Sequence, residues 1–259
     1  MTFQRLYPDS ASMSAEEVAA GFVGSERSDR PYVATNFAMT ADGRIAVGGR
    51  SGPIGNEADK ELFHELRARV DAVMVGAGTL RTERYGRLVR DEDRRERRKA
   101  AGLEGDPLAV VVSGRLALEP DIPLLNSDQS RVVILTAAAG EVGETKARGE
   151  YLRAEREEIV RGGEPEVPVP ELRLEPFLRA LRTDYGVRTL LCEGGARLNA
   201  TLLHEGLVDE YFLSLAPMLA GGTGPTPVEG PDLEPPRDME LLSAMEAGGH
   251  LFLRYRVRS

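Results

Sequence analysis

Residues 190–203 read LLCEGGARLNATLL, and this stretch carries the residue types best suited to chemistry. Gly194 and Gly195 follow an apolar run that ends in Glu193, and a helical pattern begins at Arg197. Glycine lacks a Cβ, so the backbone can turn sharply and present free N–H groups to a phosphate at a helix N-terminus, where the helix dipole also favours negative charge. The stretch therefore predicts either a phosphate-binding turn or a tight strand-to-helix turn without a ligand.

Glu193 favours the functional interpretation because it lies at the carboxyl end of a predicted strand, the edge where open α/β sheets bind ligands. Cys192 is interpreted as a buried residue of that strand rather than a nucleophile, since no histidine lies near it in sequence. A second glycine turn, VGAGTL at 75–80, opens like the dinucleotide fingerprint, but Arg81 stands at its third glycine position. A Rossmann domain is therefore disfavoured.

Alternating strand and helix patterns must position these residues. Strands are predicted where runs rich in branched and aromatic residues are bounded by Gly, Pro or Asp, at 31–39, 70–76, 108–114, 131–136, 187–193, 208–219 and 250–258, with a weaker strand at 157–161. Helices are predicted from apolar spacing at 56–70 with Asn56 as N-cap, and at 144–155, 174–186 and 197–207. A short capped helix is predicted within 7–18, and the charged run 87–102 is interpreted as a solvated helix.

This alternation predicts an α/β fold. The expected architecture is a three-layer α/β/α sandwich around a mixed, mostly parallel sheet of about eight to nine strands. A Gly/Pro-rich connection from Gly221 to Pro236, with no helical pattern, separates the last two predicted strands and indicates an antiparallel ending.

The composition limits the classes of partner. The chain has 259 residues, 41% of them hydrophobic, and a formal net charge of −9, which argues for a globular protein and against a surface that binds nucleic acid. One cysteine and three scattered histidines suggest neither a disulfide framework nor a metal site. No signal peptide or membrane span is evident. We therefore expect a cytoplasmic protein with no metal, membrane or nucleic-acid partner.

Five segments together resemble a known family. They are TNFAMTADGRIA (35–46), SGPIGNEAD (51–59), HELRARVDAVMVGAGTLRTERYGRLVR (64–90), LLCEGGARLNATLLHEGLVDE (190–210) and APMLAGG (216–222). They resemble the C-terminal reductase domain of the RibD-type deaminase-reductases of riboflavin biosynthesis. The resemblance implies a dihydrofolate-reductase-like domain at 31–259, preceded by an extension at 1–30. It also implies NADPH-dependent reduction of the ribosyl group of 5-amino-6-(5-phosphoribosylamino)uracil, or a close pyrimidine, by hydride transfer to C1′.

The resemblance further implies the site residues. The segment expected to hold the NADPH diphosphate comprises Gly194, Gly195, Ala196, Arg197, Leu198, Asn199 and Thr201. The other cofactor contacts it implies are Ala38, Pro53, Thr79, Glu83 and Ser113. The implied substrate contacts are Ser51, Arg67, Arg90 and Glu193. Glu83 and Glu193 are the expected catalytic residues, and Arg67 and Arg90 are expected to converge on the substrate phosphate.

The chain departs from family members fused to a deaminase at several positions. Those members usually carry lysine where this chain has Asn36, an Asp-Asp-Pro triplet at 83–85 and tryptophan in place of Pro53. The cysteine-rich zinc motif of the deaminase is also missing, as expected of a stand-alone reductase. The sequence leaves two alternatives open, a dihydrofolate or dihydropterin reductase and a non-catalytic nucleotide-binding protein.

A second apolar strand face predicts self-association. In the segment 208–219, Tyr211, Leu213 and Leu215 alternate with Phe212, Ser214 and Ala216. Only one of these faces is needed for the core, so the other can bury against a copy of the chain. This pattern and the family resemblance together predict a homodimer.

Overall fold

The computed structural model describes residues 1–22, 24, 27–154 and 172–258. The strands, in chain order, are β1 (Thr2–Tyr7), β2 (Ala11–Ser14), β3 (Tyr32–Thr40), β4 (Ala72–Gly76), β5 (Leu108–Val112), β6 (Arg131–Thr136), β7 (Arg148–Arg153), β8 (Thr189–Cys192), β9 (Glu210–Ala216), β10 (Met239–Ala247) and β11 (His250–Val257). The helices are α1 (Ala15–Ala20), α2 (Glu57–Arg67), α3 (Ala77–Thr82), α4 (Glu92–Ala100), α5 (Glu175–Thr183) and α6 (Ala196–His204).

The described strands form one mixed sheet of eleven strands, in the order β2-β1-β10-β11-β9-β3-β8-β4-β5-β6-β7. All neighbouring pairs from β9 to β7 are parallel, and all pairs from β2 to β9 are antiparallel. The predicted α/β class and the mixed, mostly parallel sheet are confirmed. The sheet has more strands than the eight to nine expected, because the N-terminal segment and residues 239–247 each add to it.

Helices cover both faces of the sheet and bury two apolar clusters. On one face, α1 and α2 pack against the sheet through residues such as Val18, Leu62 and Leu66. On the other face, α5 and α6 contribute Leu178 and Leu202, among others. The amphipathic spacing that predicted α2, α5 and α6 therefore corresponds to three layers, as expected from burying one apolar stripe on each helix.

Helix starts follow the capping residues in the sequence. The Asn56 side chain accepts a hydrogen bond of 2.9 Å from the backbone N–H of Asp59, which confirms the predicted N-cap of α2. Ser14 caps α1 in a capping box with Glu17, which confirms the predicted short helix. Ion pairs join the charged helix α4 to α2, because Arg94 binds the carboxylates of Glu61 and Glu65.

Two segments differ from their predictions. The prediction of a helix at 144–155 is wrong, because residues 148–153 form the edge strand β7. This strand pairs in parallel with β6, and Tyr151 lies opposite Ile134. Strand β10 was missed because its polar and apolar residues alternate only weakly; its pairing with β1 and β11 stabilises it instead. The strand predicted at 157–161 lies outside the described residues.

The parallel strands bring distant loops to one edge of the sheet. β3, β4, β5 and β8 all run in the same direction, so their carboxyl ends lie side by side. The chain then continues into the segments that the sequence singled out: the loop 41–56 after β3, α3 after β4, Ser113 after β5 and the glycine turn after β8. This edge is therefore where the fold assembles a site.

Two classes of feature are missing from the described part of the chain. None of its helices is both long enough and apolar enough to span a bilayer. Within the same ranges, no group of three or more His, Cys, Asp or Glu side chains is arranged to hold a metal ion.

Candidate active site

A cleft of about 1730 Å³ opens at the carboxyl ends of the parallel strands. Its walls come from α2 and the loop 41–56 on one side, and from α3, the turn after β5 and the start of α6 on the other. The volume exceeds that of an ordinary small-molecule pocket, so the cleft can hold two ligands, or one as long as a dinucleotide.

The glycine turn forms the floor of this cleft. Gly194 has φ of 109° and Gly195 has φ of 84°, both in the left-handed region that side chains disfavour. A Cβ on Gly194 would lie 3.3 Å from the Phe37 ring, and one on Gly195 would lie 3.7 Å from Thr79 Oγ1. The Gly76 N–H donates a 2.9 Å hydrogen bond to the Gly194 carbonyl and fixes the turn against β4. Only glycine leaves room here for a ligand to approach the backbone.

Helix α6 begins at this turn with its N-terminus open to the cleft. No side chain of the described residues caps it at Gly195, and the first N–H bonded inside the helix is that of Asn199, at 2.9 Å from the Gly195 carbonyl. The N–H groups before it have no intrahelical acceptor. Ala196, Arg197 and Leu198 all line the cleft. The helix start therefore offers an anion several backbone donors together with the positive end of the dipole.

Glu193, beside the glycine turn, is bound by Arg67 of α2. Arg67 Nε lies 2.6 Å from Glu193 Oε1 and Arg67 Nη2 lies 2.7 Å from Oε2, while Nη1 donates to the Leu88 carbonyl at 3.1 Å. Both side chains are buried, and the guanidinium stacks on the Phe63 ring at 4.1 Å. The pair holds the Glu193 carboxylate in one orientation at the edge of the cleft.

Arg67 and Arg90 were expected to converge, but the structure does not bring them together in the cleft. Arg67 lines the cleft, whereas Arg90 is exposed and is not part of its wall. The Arg90 guanidinium lies against Gly86, the next residue after cleft-lining Tyr85. Sequence spacing missed this because the loop after α3 turns back on itself at Arg84, where φ is 45°.

A second pair of predicted residues does meet. Ser51 donates from both its N–H and its Oγ to Glu83 Oε1, at 3.0 Å and 2.8 Å. Both line the cleft together with Thr79. The loop 41–56 is thus tied to the end of α3 and covers this side of the cleft.

The remaining predicted residues divide into two groups. Ala38, Ser113 and Thr201 line the cleft. Pro53 is exposed and lies outside its wall, and the buried Asn199 side chain instead donates to the Tyr211 hydroxyl at 3.1 Å and to the Pro227 carbonyl at 2.9 Å. Asn199 therefore joins α6 to β9 and to the loop that follows it.

Cys192 has no nucleophilic role in this site. It is completely buried, and burial raises the pKa of its thiol to about 12. A thiol with such a pKa stays protonated near neutral pH and is unreactive. The sequence-based interpretation of Cys192 as a structural residue is confirmed.

Asp59 and Tyr85 are among the side chains of the cleft wall that sequence reasoning missed. Asp59, Phe63 and Arg67 follow one another at intervals of four along α2 and all line the cleft. This i, i+4, i+8 stripe was visible in the sequence and could have identified Asp59. Burial, followed by the nearby Glu193, raises the pKa of the Tyr85 hydroxyl, which lies beside the Arg67–Glu193 pair. Nothing in the local sequence signalled that contact.

The fold and the cleft define the class of protein. The sheet topology, the open N-terminus of α6 and the buried carboxylate beside the cleft are those of an α/β protein with its site at the carboxyl ends of the parallel strands. The chain belongs to the RibD C-terminal domain family, which it matches over residues 31–253.

Individual relatives agree with this assignment. The chain is 32% identical over 234 residues to the 2,5-diamino-6-ribosylamino-4(3H)-pyrimidinone 5′-phosphate reductase of Methanothermobacter thermautotrophicus, covering 88% of this chain and 99% of that protein. It is 34% identical over 205 residues to the protein of the same name from Archaeoglobus fulgidus, covering 78% of this chain and 87% of that one. A pyrimidine reductase-like protein from Corynebacterium diphtheriae has the same fold, with a TM-score of 0.72, 22% identity and coverage of 95% and 100% of the two chains.

Proposed function

We propose that the protein is an NADPH-dependent reductase of riboflavin biosynthesis. It reduces the ribosyl group of 2,5-diamino-6-ribosylamino-4(3H)-pyrimidinone 5′-phosphate, or of the closely related uracil compound, to the ribityl group. The observation that carries this proposal is the single cleft in which the open N-terminus of α6 lies beside the Arg67–Glu193 pair. The nearly full-length similarity to two reductases of this name favours it over a dihydrofolate reductase or a non-catalytic protein.

The residues of the cleft fit a dinucleotide. The backbone donors from Gly195 to Leu198, with Thr201 in the next turn, would hold the diphosphate, and side chains at Gly194 or Gly195 would fill the space it needs. Ala38, Thr79 and Glu83 would surround the nicotinamide, which supplies a hydride when bound. Ser113 and the exposed Arg115 follow β5 in the same cleft and would bind a 2′-phosphate, which favours NADPH over NADH.

The substrate would lie between α2 and the loop 41–56. Glu193 would accept hydrogen bonds from the pyrimidine or ribose, oriented by the two hydrogen bonds that it accepts from Arg67. Ser51 would contact the phosphate from the cleft wall.

Steady-state kinetics test this function. We expect NADPH oxidation with the ribosylaminopyrimidine phosphate and none with dihydrofolate. With NADH, kcat/KM should be lower by about tenfold or more, because one charge-assisted contact contributes roughly 1.5–3 kcal/mol. Turnover of dihydrofolate alone would support the pterin alternative. Tight NADPH binding without turnover of either compound would support a non-catalytic protein.

We also propose that two copies associate through the face of β9 and β11 that presents Leu213, Leu215, Leu251 and Leu253. In the strand register, Leu213 lies opposite Leu253 and Leu215 lies opposite Leu251. Leu251 is 36% exposed and the other three are only half-buried. A continuous apolar sheet face of this kind is suited to a symmetric contact with its own copy.

Leu253→Arg is expected to convert the dimer into a monomer. The substitution places a charge in the centre of the proposed apolar contact, where no described acidic partner faces it. Size-exclusion chromatography with light scattering measures the mass directly. Leu219→Arg is the control, because Leu219 is 80% exposed and lies in the connection after β9. A monomeric wild-type protein, or a variant that stays dimeric, would rule out this interface.

A further inference from the structure

Five carboxylates of the described residues line the cleft. Three of them bind a neighbouring residue of the protein, and a fourth is exposed to solvent. Glu193 is paired with an arginine, and Glu205 accepts backbone N–H groups at the start of α5. Glu83 accepts both hydrogen bonds from Ser51, and Glu229 is exposed. The fifth carboxylate is Asp59, which the function described above does not use.

Asp59 is partly buried in the cleft wall without a cationic partner. It lies in the first turn of α2, and no described Lys, Arg or His nitrogen lies within 4.0 Å of its carboxylate. One of its oxygens points at Gly55, where a Cβ would collide with it. Its hydrogen-bond partner is the side chain of Ser214 on β9. The missing side chain at Gly55 therefore leaves space for the Asp59 carboxyl group in the cleft wall.

No described cation forms an ion pair with Asp59, although His250 and Lys60 lie near enough to favour its charged form. Lys60, the next residue of α2, is exposed and paired with Glu57 at 2.7 Å. The ring of His250 on β11 contacts the Asn56 side-chain amide through Nδ1 and the Ile54 carbonyl through Nε2, both at 3.0 Å. Burial raises the pKa of Asp59, and the hydrogen bond from Ser214, with smaller contributions from His250 and Lys60, only partly opposes this shift. Asp59 therefore retains its proton to a higher pH than an ordinary aspartate.

We propose that Asp59 is the general acid of the reaction and donates a proton to the ring oxygen O4′ of the substrate ribose. This assignment rests on the proposed function. When the C1′–O4′ bond breaks, its electron pair goes to O4′, which takes the Asp59 proton, and the lone pair of the exocyclic nitrogen forms a C1′=N bond. C1′ then accepts hydride with its electron pair, and the π electrons return to the nitrogen. Water reprotonates Asp59, so the cycle consumes one hydride and one proton.

The need for such an acid follows from the chemistry and from the composition of the cleft. A cyclic ribosylamine has no C=N bond to accept hydride, so its ring must open first. Asn36 lines the same cleft, and its neutral amide cannot donate a proton as a cation would. Asn36 and Ser214 lie on the adjacent strands β3 and β9, and Asp59 reaches Ser214 from α2. Asp59 is thus placed to supply the proton from the substrate side.

Asp59→Asn should lower kcat by about 100-fold or more, the range expected for loss of a general acid. The Kd for NADPH should not change. In the wild type, kcat should fall as pH rises through the pKa of Asp59, and the variant should lack this dependence. Glu57→Gln is the matched control, since Glu57 lies in the same turn, is exposed and faces away from the cleft. This control should retain wild-type kcat.

Ser214→Ala is a second test, because it should shift the pH dependence of kcat, whereas Asp59→Asn should abolish it. Removing a donor that stabilises the charged carboxylate should raise the pKa of Asp59 further and shift the fall in kcat to higher pH. The free energy of unfolding provides a test that does not depend on activity. Because the pKa of Asp59 is raised in the folded state, its contribution to stability is present at low pH and is lost as pH rises through that pKa. Asp59→Asn should remove this decline, seen as a higher denaturant midpoint than wild type at neutral pH.

The outcomes separate the two proposals. If the wild type oxidises no NADPH with the ribosylaminopyrimidine phosphate, the proposed function fails. If the wild type turns over and Asp59→Asn keeps its kcat and its pH dependence, the acid assignment alone is overturned. An unshifted pH profile in Ser214→Ala would also overturn it.

Discussion

Arg67→Ala is expected to destabilise the protein by about 3–5 kcal/mol and to abolish reductase activity. The substitution leaves the Glu193 carboxylate, 1% exposed in its side chain, without the two hydrogen bonds that neutralise it. An unpaired buried charge costs far more than the pair itself contributes to stability, because the carboxylate has already lost its hydration. Activity should be lost as well, since Glu193 then has no fixed orientation in the cleft.

Denaturant unfolding and steady-state kinetics measure these two effects. Arg179→Ala is the matched control, because Arg179 also binds a carboxylate, that of Glu175, but at the surface, where a pair contributes little to stability. The double variant Arg67→Met with Glu193→Leu should regain most of the stability but none of the activity, since it removes both charges. A loss below about 1 kcal/mol in Arg67→Ala would contradict the view that this pair is a buried structural unit.

Gly195→Ala is expected to weaken NADPH binding by about 100-fold or more. Its φ of 84° costs an alanine about 1–2 kcal/mol, and on the proposed function the added methyl group would crowd the diphosphate at the start of α6. Losing even one or two charge-assisted N–H contacts removes roughly 1.5–3 kcal/mol each, which corresponds to this fold-change. Titration calorimetry gives the Kd, and unfolding gives the separate cost of strain.

Gly206→Ala controls for the backbone strain. Gly206 follows the opposite end of α6 with φ of 65°, and nothing lies within 4 Å of its added Cβ. This variant should lose a similar amount of stability and bind NADPH as the wild type does. Equal affinity of Gly195→Ala and wild type for NADPH would remove the glycine turn from the cofactor site.

Local sequence patterns account for much of the fold and part of the site. Apolar runs bounded by turn residues predicted β3, β4, β5, β6, β8, β9 and β11, and the Asn56 cap and apolar spacing predicted α2. Such features depend on residues a few positions apart, so they can be read without knowing the neighbours in space. The glycine turn at Gly194 and Gly195 belongs to the same class, since its conformation requires residues without a Cβ.

Long-range neighbours explain what these patterns missed. Residues 148–153 form a strand because they pair with the edge of β6. Strand β10 pairs with β11, its neighbour in sequence, and with β1, which lies at the other end of the chain.

The site shows the same division. The residue types needed for chemistry were visible along the chain, including the acid before the glycine turn. Which of them meet was not, because Arg67 and Glu193 are 126 positions apart and pair only when α2 packs beside β8. The unpaired burial of Asp59 depends in the same way on β9 and on the loop that leaves Gly55 beside it. Charge, hydrogen bonding and burial are properties of surroundings in three dimensions, so the identity of a side chain is encoded locally, whereas its pKa and its partner depend on the folded chain.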